Sequence, residues 1–198
     1  MLSVTGLRER KKQQTYDALS EAAIALFLKQ GFDEVSVTDI AAAANVSKPT
    51  LFKYFPTKQD LVLHRIADHR HESARVVAAA GVPPVQALRE RFLAGLTARD
   101  PITGLNDHPQ VLAYYKLVFT TPALTTRLHQ FMDDDERALA EAVGGGLTGE
   151  LLAAQAVSVQ RVLSRRNWAA ITAGQRAADR YLDAVTEAET AFDGLPLG

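Results

Sequence analysis

Apolar residues in this chain fall three and four positions apart throughout and nowhere settle into alternation. That spacing excludes a sheet of any size and commits the chain to amphipathic helices. Between about residues 7 and 30, Tyr16, Leu19, Ala22, Ala23, Leu26 and Phe27 lie on one helical face. Near the other end Ala178, Tyr181, Leu182, Val185, Ala188 and Phe192 form the cleanest stripe. Glycine and proline supply the punctuation. Gly31 stops the first helix, with Phe32 placed to pack back over its end. Pro56 ends a short helix at Phe55, because the residue before proline avoids helical geometry. A fourth helix, capped by Thr57, is expected to run to about Ala80, where Gly81 and Pro83-Pro84 stop it. Further helices are expected near 84–99, 108–120, 122–143, 149–173 and 175–193. The expectation is an all-α protein of about nine helices. Residues 1–56 would form a compact three-helix unit and 57–198 a larger helical domain.

Composition narrows the function classes. The 198 residues suffice for a full core, and the absence of cysteine excludes disulfides and Cys-based zinc sites. The longest apolar run, Ala22 to Leu28, falls far short of the ~18 residues a membrane span requires. The opening MLSVTGLRERKK is too short and polar for a secretory signal, so a cytoplasmic location is expected. Net charge is −1, so bulk charge does not announce a polyanionic partner. Its distribution is more informative. Arg8, Arg10, Lys11 and Lys12 cluster near the start, and Lys48, Lys53 and Lys58 follow with no acid among them.

The helix starts carry the sharpest signal. Ser36-x-x-Asp39 and Thr57-x-x-Asp60 place a carboxylate at the third helical position, where it answers the capping residue and the positive end of the helix dipole. The helix between them opens Ser47-Lys48-Pro49-Thr50 and meets no acid until Asp60. A lysine there costs a few tenths of a kcal/mol against the dipole. It regains more by displacing a counterion from DNA. Two short capped helices joined by the tight Asn45-Val46 turn read as a helix-turn-helix with its second helix in the major groove. Leu51 and Phe55 face the core, while Lys48, Pro49, Thr50 and Lys53 project outward. Thr50 offers a hydroxyl to a base edge and a methyl to thymine, and Lys48 can reach guanine O6 or N7. Tyr54 and Lys58 suit phosphates. Ser36 and Thr38, opening the preceding helix, are further candidates for DNA contact.

The segment ALSEAAIALFLKQGFDEVSVTDIAAAANVSKPTLFKYFPTKQDLV resembles the DNA-binding domain of the TetR (tetracycline-repressor-like) family. Phe-x-x-x-Gly-Phe closes its first helix, Ser-Val-x-Asp-Ile-Ala opens its second, and Tyr-Phe-x-x-Lys leads into the fourth. The resemblance implies a dimeric, ligand-responsive transcriptional regulator, a repressor on a palindromic operator. The last two helices would dimerise and the C-terminal domain would bind a small effector. By position it implies base contacts from Lys48, Pro49 and Thr50, and phosphate contacts from Tyr54 and Lys58. Phe52 stands where the family commonly has tyrosine, and Pro49 where glycine is common. Lys53 is placed to compensate for the lost hydroxyl. Past residue 65 only length, helix count and an oily terminal pair agree.

On the oily terminal helix pair that the resemblance makes the dimer face, Leu152, Val159, Leu163, Leu182 and Val185 are the candidates. Phe92, Tyr114 and Phe119 are candidates for an effector pocket. Tyr114 and Tyr115 point about 100° apart and cannot both serve one seam. Arg161, Arg165 and Arg166 are expected to be solvated or to pair across a dimer edge. Asp133-Asp134-Asp135-Glu136 is expected to be an exposed face. His64, Asp68 and His71 have a spacing that could start a metal site, but they read as surface polar residues, and no cofactor is expected. No nucleophile–base pair or phosphate loop suggests an enzyme. The alternative is a helical small-molecule-binding or adaptor protein that does not use DNA, which the basic run at 48–58 argues against.

Overall fold

The computed structural model describes residues 4–67 and 69–196, with side chains from residue 10 onward. Among them are ten α-helices and no strand. They are α1 Val4–Gln30, α2 Val37–Ala43, α3 Lys48–Tyr54, α4 Lys58–Ala67, α5 Glu72–Ala79, α6 Pro84–Ala98, α7 Pro109–Thr120, α8 Pro122–Ala142, α9 Gly146–Thr172 and α10 Ala177–Asp193. A short 3-10 turn, Pro101–Thr103, follows α6. The all-α class and most helix ends match the periodicity. By contacts the chain divides into Met1–Asp68 with Ala113–Leu128, and His69–Leu112 with His129–Gly198.

In the first unit Leu19, Ala23, Phe27, Ile40, Leu51, Phe55, Leu61 and Leu63 are buried together with Val118 and Leu124. Two buried hydroxyls bind α4 at successive carbonyls. Ser20 Oγ on α1 donates to the Leu61 carbonyl at 2.8 Å, and Tyr114 Oη on α7 donates to the Val62 carbonyl at 3.0 Å. Gly31 adopts φ +94° and donates its N–H to the Phe27 carbonyl, the left-handed stop expected there. Phe32 then folds back on Phe27, ring centroids 4.9 Å apart.

The second unit is built on α6, α9 and α10, with Leu88, Phe92, Leu96, Leu152, Ala156, Leu163, Ala184, Ala188 and Phe192 in one core. Ala153 and Ala156 on α9 and Ala184 and Ala188 on α10 are all essentially inaccessible to solvent. Small residues at such positions permit close helix approach. Gly104 is required: its φ is +72°, and a Cβ there would lie 2.0 Å from the Ser164 carbonyl oxygen. A polar lattice joins the same elements. Asn167 Nδ2 donates to the Thr103 carbonyl, Arg180 Nε donates to Asn167, and Arg166 grips Glu187 through two bonds of 3.0 and 2.8 Å.

The structure corrects three expectations. The helix from Thr57 to Ala80 is two helices, α4 and α5, which is why ten helices stand where nine were counted. His71 sits between them at φ +57° with its N–H donating to Asp135 Oδ1 at 2.7 Å, and Arg70 donates to Asp134 Oδ2 at 3.0 Å. The acidic run at 133–136 is therefore no freely exposed face, since Asp134 and Asp135 clasp the turn before α5. Burial raises the Asp135 carboxyl above its ordinary range. Arg166, finally, is exposed but pairs with Glu187 of its own chain rather than being left to solvent alone.

Candidate nucleic-acid interface

Each helix start in the motif is capped by a hydroxyl, and the three caps differ in one group. At α2, Ser36 Oγ accepts from the Asp39 N–H and donates to Asp39 Oδ2 at 2.6 Å, while the Ser36 N–H donates to the same carboxylate. Those bonds hold the Asp39 carboxyl below its ordinary range. At α4, Thr57 and Asp60 make the equivalent pair, and Arg127 Nε donates to the second carboxylate oxygen of Asp60 at 2.9 Å. At α3, Ser47 Oγ accepts from the Thr50 N–H, and the third position carries a hydroxyl instead of a carboxylate. Ser47 Oγ and Thr50 Oγ1 lie 2.7 Å apart. The first turn of α3 therefore holds no anion.

Burial around α3 sorts its side chains. Leu51 and Phe55 are inaccessible, fixing the inward face, and Thr50 and Tyr54 are half-buried on its flank. Lys48, Pro49, Phe52 and Lys53 are exposed. Ser36 and Thr38 lie at the start of α2, Ser36 exposed, and Arg10, Lys11 and Lys12 are exposed on α1. The Arg8 side chain lies outside the described residues.

The end of α3 is held by aromatic packing. Tyr16 on α1 meets Tyr54 edge-on at 4.8 Å and Phe55 at 5.2 Å, and stacks on His64 of α4 at 5.3 Å. No local pattern announces this cluster, because its members come from separate stretches of the chain. Lys58 is half-buried, with its ammonium 4.4 Å from the Phe32 ring centroid and 5.4 Å from that of Phe27.

The effector and dimer candidates occupy varied surroundings. Phe92 is buried against Phe192, centroids 5.9 Å apart. Tyr114 is buried with its hydroxyl engaged on α4, and burial raises its pKa. Phe119 is half-buried beside Tyr115. Of the residues expected on a dimer face, Leu152 and Leu163 are enclosed in their own chain's core, each 4 % exposed, while Val159 and Val185 pack partly against it. Leu182 is 74 % exposed. Leu147, Leu151 and Val162 on α9 are also exposed and fall within about 60° on the helical wheel. His64 Nε2 lies 3.4 Å from Asp17, His71 occupies the α4–α5 turn, and Asp68 lies outside the described residues. Among the described residues no group of three or more His, Cys, Asp or Glu side chains could hold a metal, and no helix is long and apolar enough to cross a membrane.

Residues 19–64 match the family described as bacterial regulatory proteins, tetR family. Over 201 aligned positions the chain is 32 % identical to the HTH-type transcriptional regulator TcmR of Streptomyces glaucescens, a match covering 96 % of this chain and 86 % of that protein. The chain belongs to the TetR family. A second relative, the HTH-type transcriptional repressor NicS of Pseudomonas putida, is 28 % identical over 146 residues, covering 71 % of this chain and 63 % of that protein. The fold agrees with that of NalD of Pseudomonas aeruginosa, with a TM-score of 0.59 at 17 % identity over 94 % of this chain and 98 % of that one. This TetR-family protein is thus a helix-turn-helix transcriptional regulator, and ligand-responsive DNA binding is typical of its family. Its named relatives are regulators, not enzymes.

Proposed function

We propose that this protein is a cytoplasmic, dimeric repressor that binds a palindromic operator through α2 and α3 of each protomer and releases it when a small effector binds. The observation that carries the reading is the exposed face of α3, where Lys48, Pro49, Phe52 and Lys53 meet solvent and the first turn holds no carboxylate. Such a surface is suited to a polyanion.

Within that reading Lys48, Pro49 and Thr50 face base edges, and Lys53, Tyr54 and Lys58 face phosphates, with Ser36 and Thr38 flanking them. The contact between Ser47 and Thr50 leaves the Thr50 hydroxyl able to pair with a base in either direction, because either oxygen can donate. Residues 1–56, together with Lys58 just beyond them, carry the contacts to DNA. Two copies associate through α9 and α10, whose exposed Leu147, Leu151, Val162 and Leu182 are apolar side chains otherwise left in water. Effector binding is assigned to the helical part of the chain beyond residue 57, and release requires a coupling of only ~1–3 kcal/mol.

Selection of bound duplexes from a random pool, at stated salt, tests the proposal. The expected product is an inverted repeat whose half-sites lie ~34–36 Å apart or a multiple of that. A selection that enriches no sequence, with affinity insensitive to salt, would refute it. A thermal-shift screen of small molecules then identifies the effector by stabilisation.

A further inference from the structure

Lys58 differs from Lys48 and Lys53 in what lies beneath it. All three belong to the acid-free run, and among the described residues Lys58 forms no ion pair with a carboxylate. The one acid in its own helical turn, Asp60, is engaged by Thr57 and Arg127. The Lys58 ammonium instead lies over two aromatic faces, Phe32 at 4.4 Å and Phe27 at 5.4 Å. Both rings are buried, and they pack on each other at 4.9 Å. The platform is fixed by the left-handed turn at Gly31, which returns Phe32 over the end of α1.

We infer that Phe32 is a positioning residue for DNA binding: with Phe27 it holds the Lys58 ammonium over a neutral aromatic surface, aimed for a backbone phosphate. The inference rests on the phosphate role proposed for Lys58. Its physical basis is a difference between two ways of restraining a lysine. A carboxylate fixes the ammonium but cancels its field. A ring face attracts the cation through its quadrupole and leaves the net charge intact. The side chain's rotamer freedom is then reduced before the duplex arrives, so less is lost on contact. The Gly-Phe turn that stops α1 therefore has a second role at the interface.

A double-mutant cycle on the selected operator tests this. Affinities of the wild type, Phe32→Leu, Lys58→Ala and the double variant are measured across a salt series, with Phe32→Tyr as a ring-preserving control and thermal melts alongside. Leucine keeps an apolar side chain there and removes the ring. Phe32→Leu is expected to weaken binding roughly three- to tenfold when Lys58 is present and to have little further effect in the Lys58→Ala background. Phe32→Tyr should bind as the wild type does. In the free protein, the Lys58 ε-methylene protons should show an upfield ring-current shift that Phe32→Leu reduces to the smaller contribution of Phe27. Equal losses from Phe32→Leu in both backgrounds, with Lys58→Ala still flattening the salt dependence, would overturn the positioning role and leave the phosphate contact standing. A salt slope unchanged by Lys58→Ala would remove the phosphate contact itself, and the inference with it.

Discussion

The hydroxyls of Ser47 and Thr50 lie 2.7 Å apart across the first turn of α3, where the two neighbouring helices place a hydroxyl against a carboxylate. The pair caps the recognition helix without adding negative charge. Thr50→Ala removes the hydroxyl and methyl offered to DNA but keeps the backbone bond to Ser47. It is expected to relax discrimination at one base position per half-site by ~1–3 kcal/mol, read by competition among operators differing at single positions. Thr50→Asp would restore the capping pattern of α2 and abolish binding while raising thermal stability slightly, an opposition that a purely structural α3 would not show.

Lys53 is exposed on the outer side of the same helix. Lys53→Ala should weaken binding to all sequences alike and reduce the slope of log affinity against log salt by about 0.9 for each phosphate the lysine neutralises. Anisotropy titrations at several salt concentrations read this directly.

Leu182 and Leu152 separate association from folding. Leu182→Glu, at an exposed site, should convert the proposed dimer to a monomer by light scattering while leaving the helical melt of the chain largely intact. Leu152→Ala, inside the core, should instead lower stability by ~2–5 kcal/mol.

A charged cluster gives the second unit a pH dependence of definite sign. His69 Nδ1 lies 2.8 Å from Glu72, and Arg91 bridges Glu72 and Asp100. The hydrogen bond to Glu72 raises the His69 pKa, against burial and Arg91. The bond to His69, aided by Arg91, lowers Glu72 to about 2. The His69 contribution is full below its ordinary pKa of 6.5 and is lost as pH rises through the raised value. The Glu72 contribution is present above about 4.5 and is lost as pH falls toward about 2. The melting temperature of the wild type should therefore decline on the alkaline side of neutrality relative to His69→Gln. Equal profiles for the two proteins would refute the assignment.

Gly104→Ala should be destabilising by about 2–4 kcal/mol, through a left-handed φ and a carbonyl in the way. Denaturant unfolding of the variant measures it.

What could be read in the chain was whatever neighbours in sequence enforce. Gly31, Pro56, Pro84 and Gly174 mark helix ends by backbone chemistry alone, and Ser36-x-x-Asp39 declares its cap within four residues. The α4–α5 break escaped because residues 68–71 contain neither glycine nor proline. The group that receives the His71 N–H is Asp135, 64 positions away. Distance also hid the aromatic clamp on Tyr54, drawn from separate helices, and the ring platform under Lys58. On α9, Leu151 and Leu152 look alike in sequence, yet a 100° step leaves the first exposed and the second enclosed.

The seven-residue α3 is bounded by a lone serine at one end and a proline-imposed stop at the other. A segment so brief draws its order from surroundings rather than from itself. On the free protein its solvent side has no surroundings. Phosphates on either wall of a groove would bring the counter-charge that its own first turn omits. A duplex that fails to place phosphates there would leave that turn without its counter-charge.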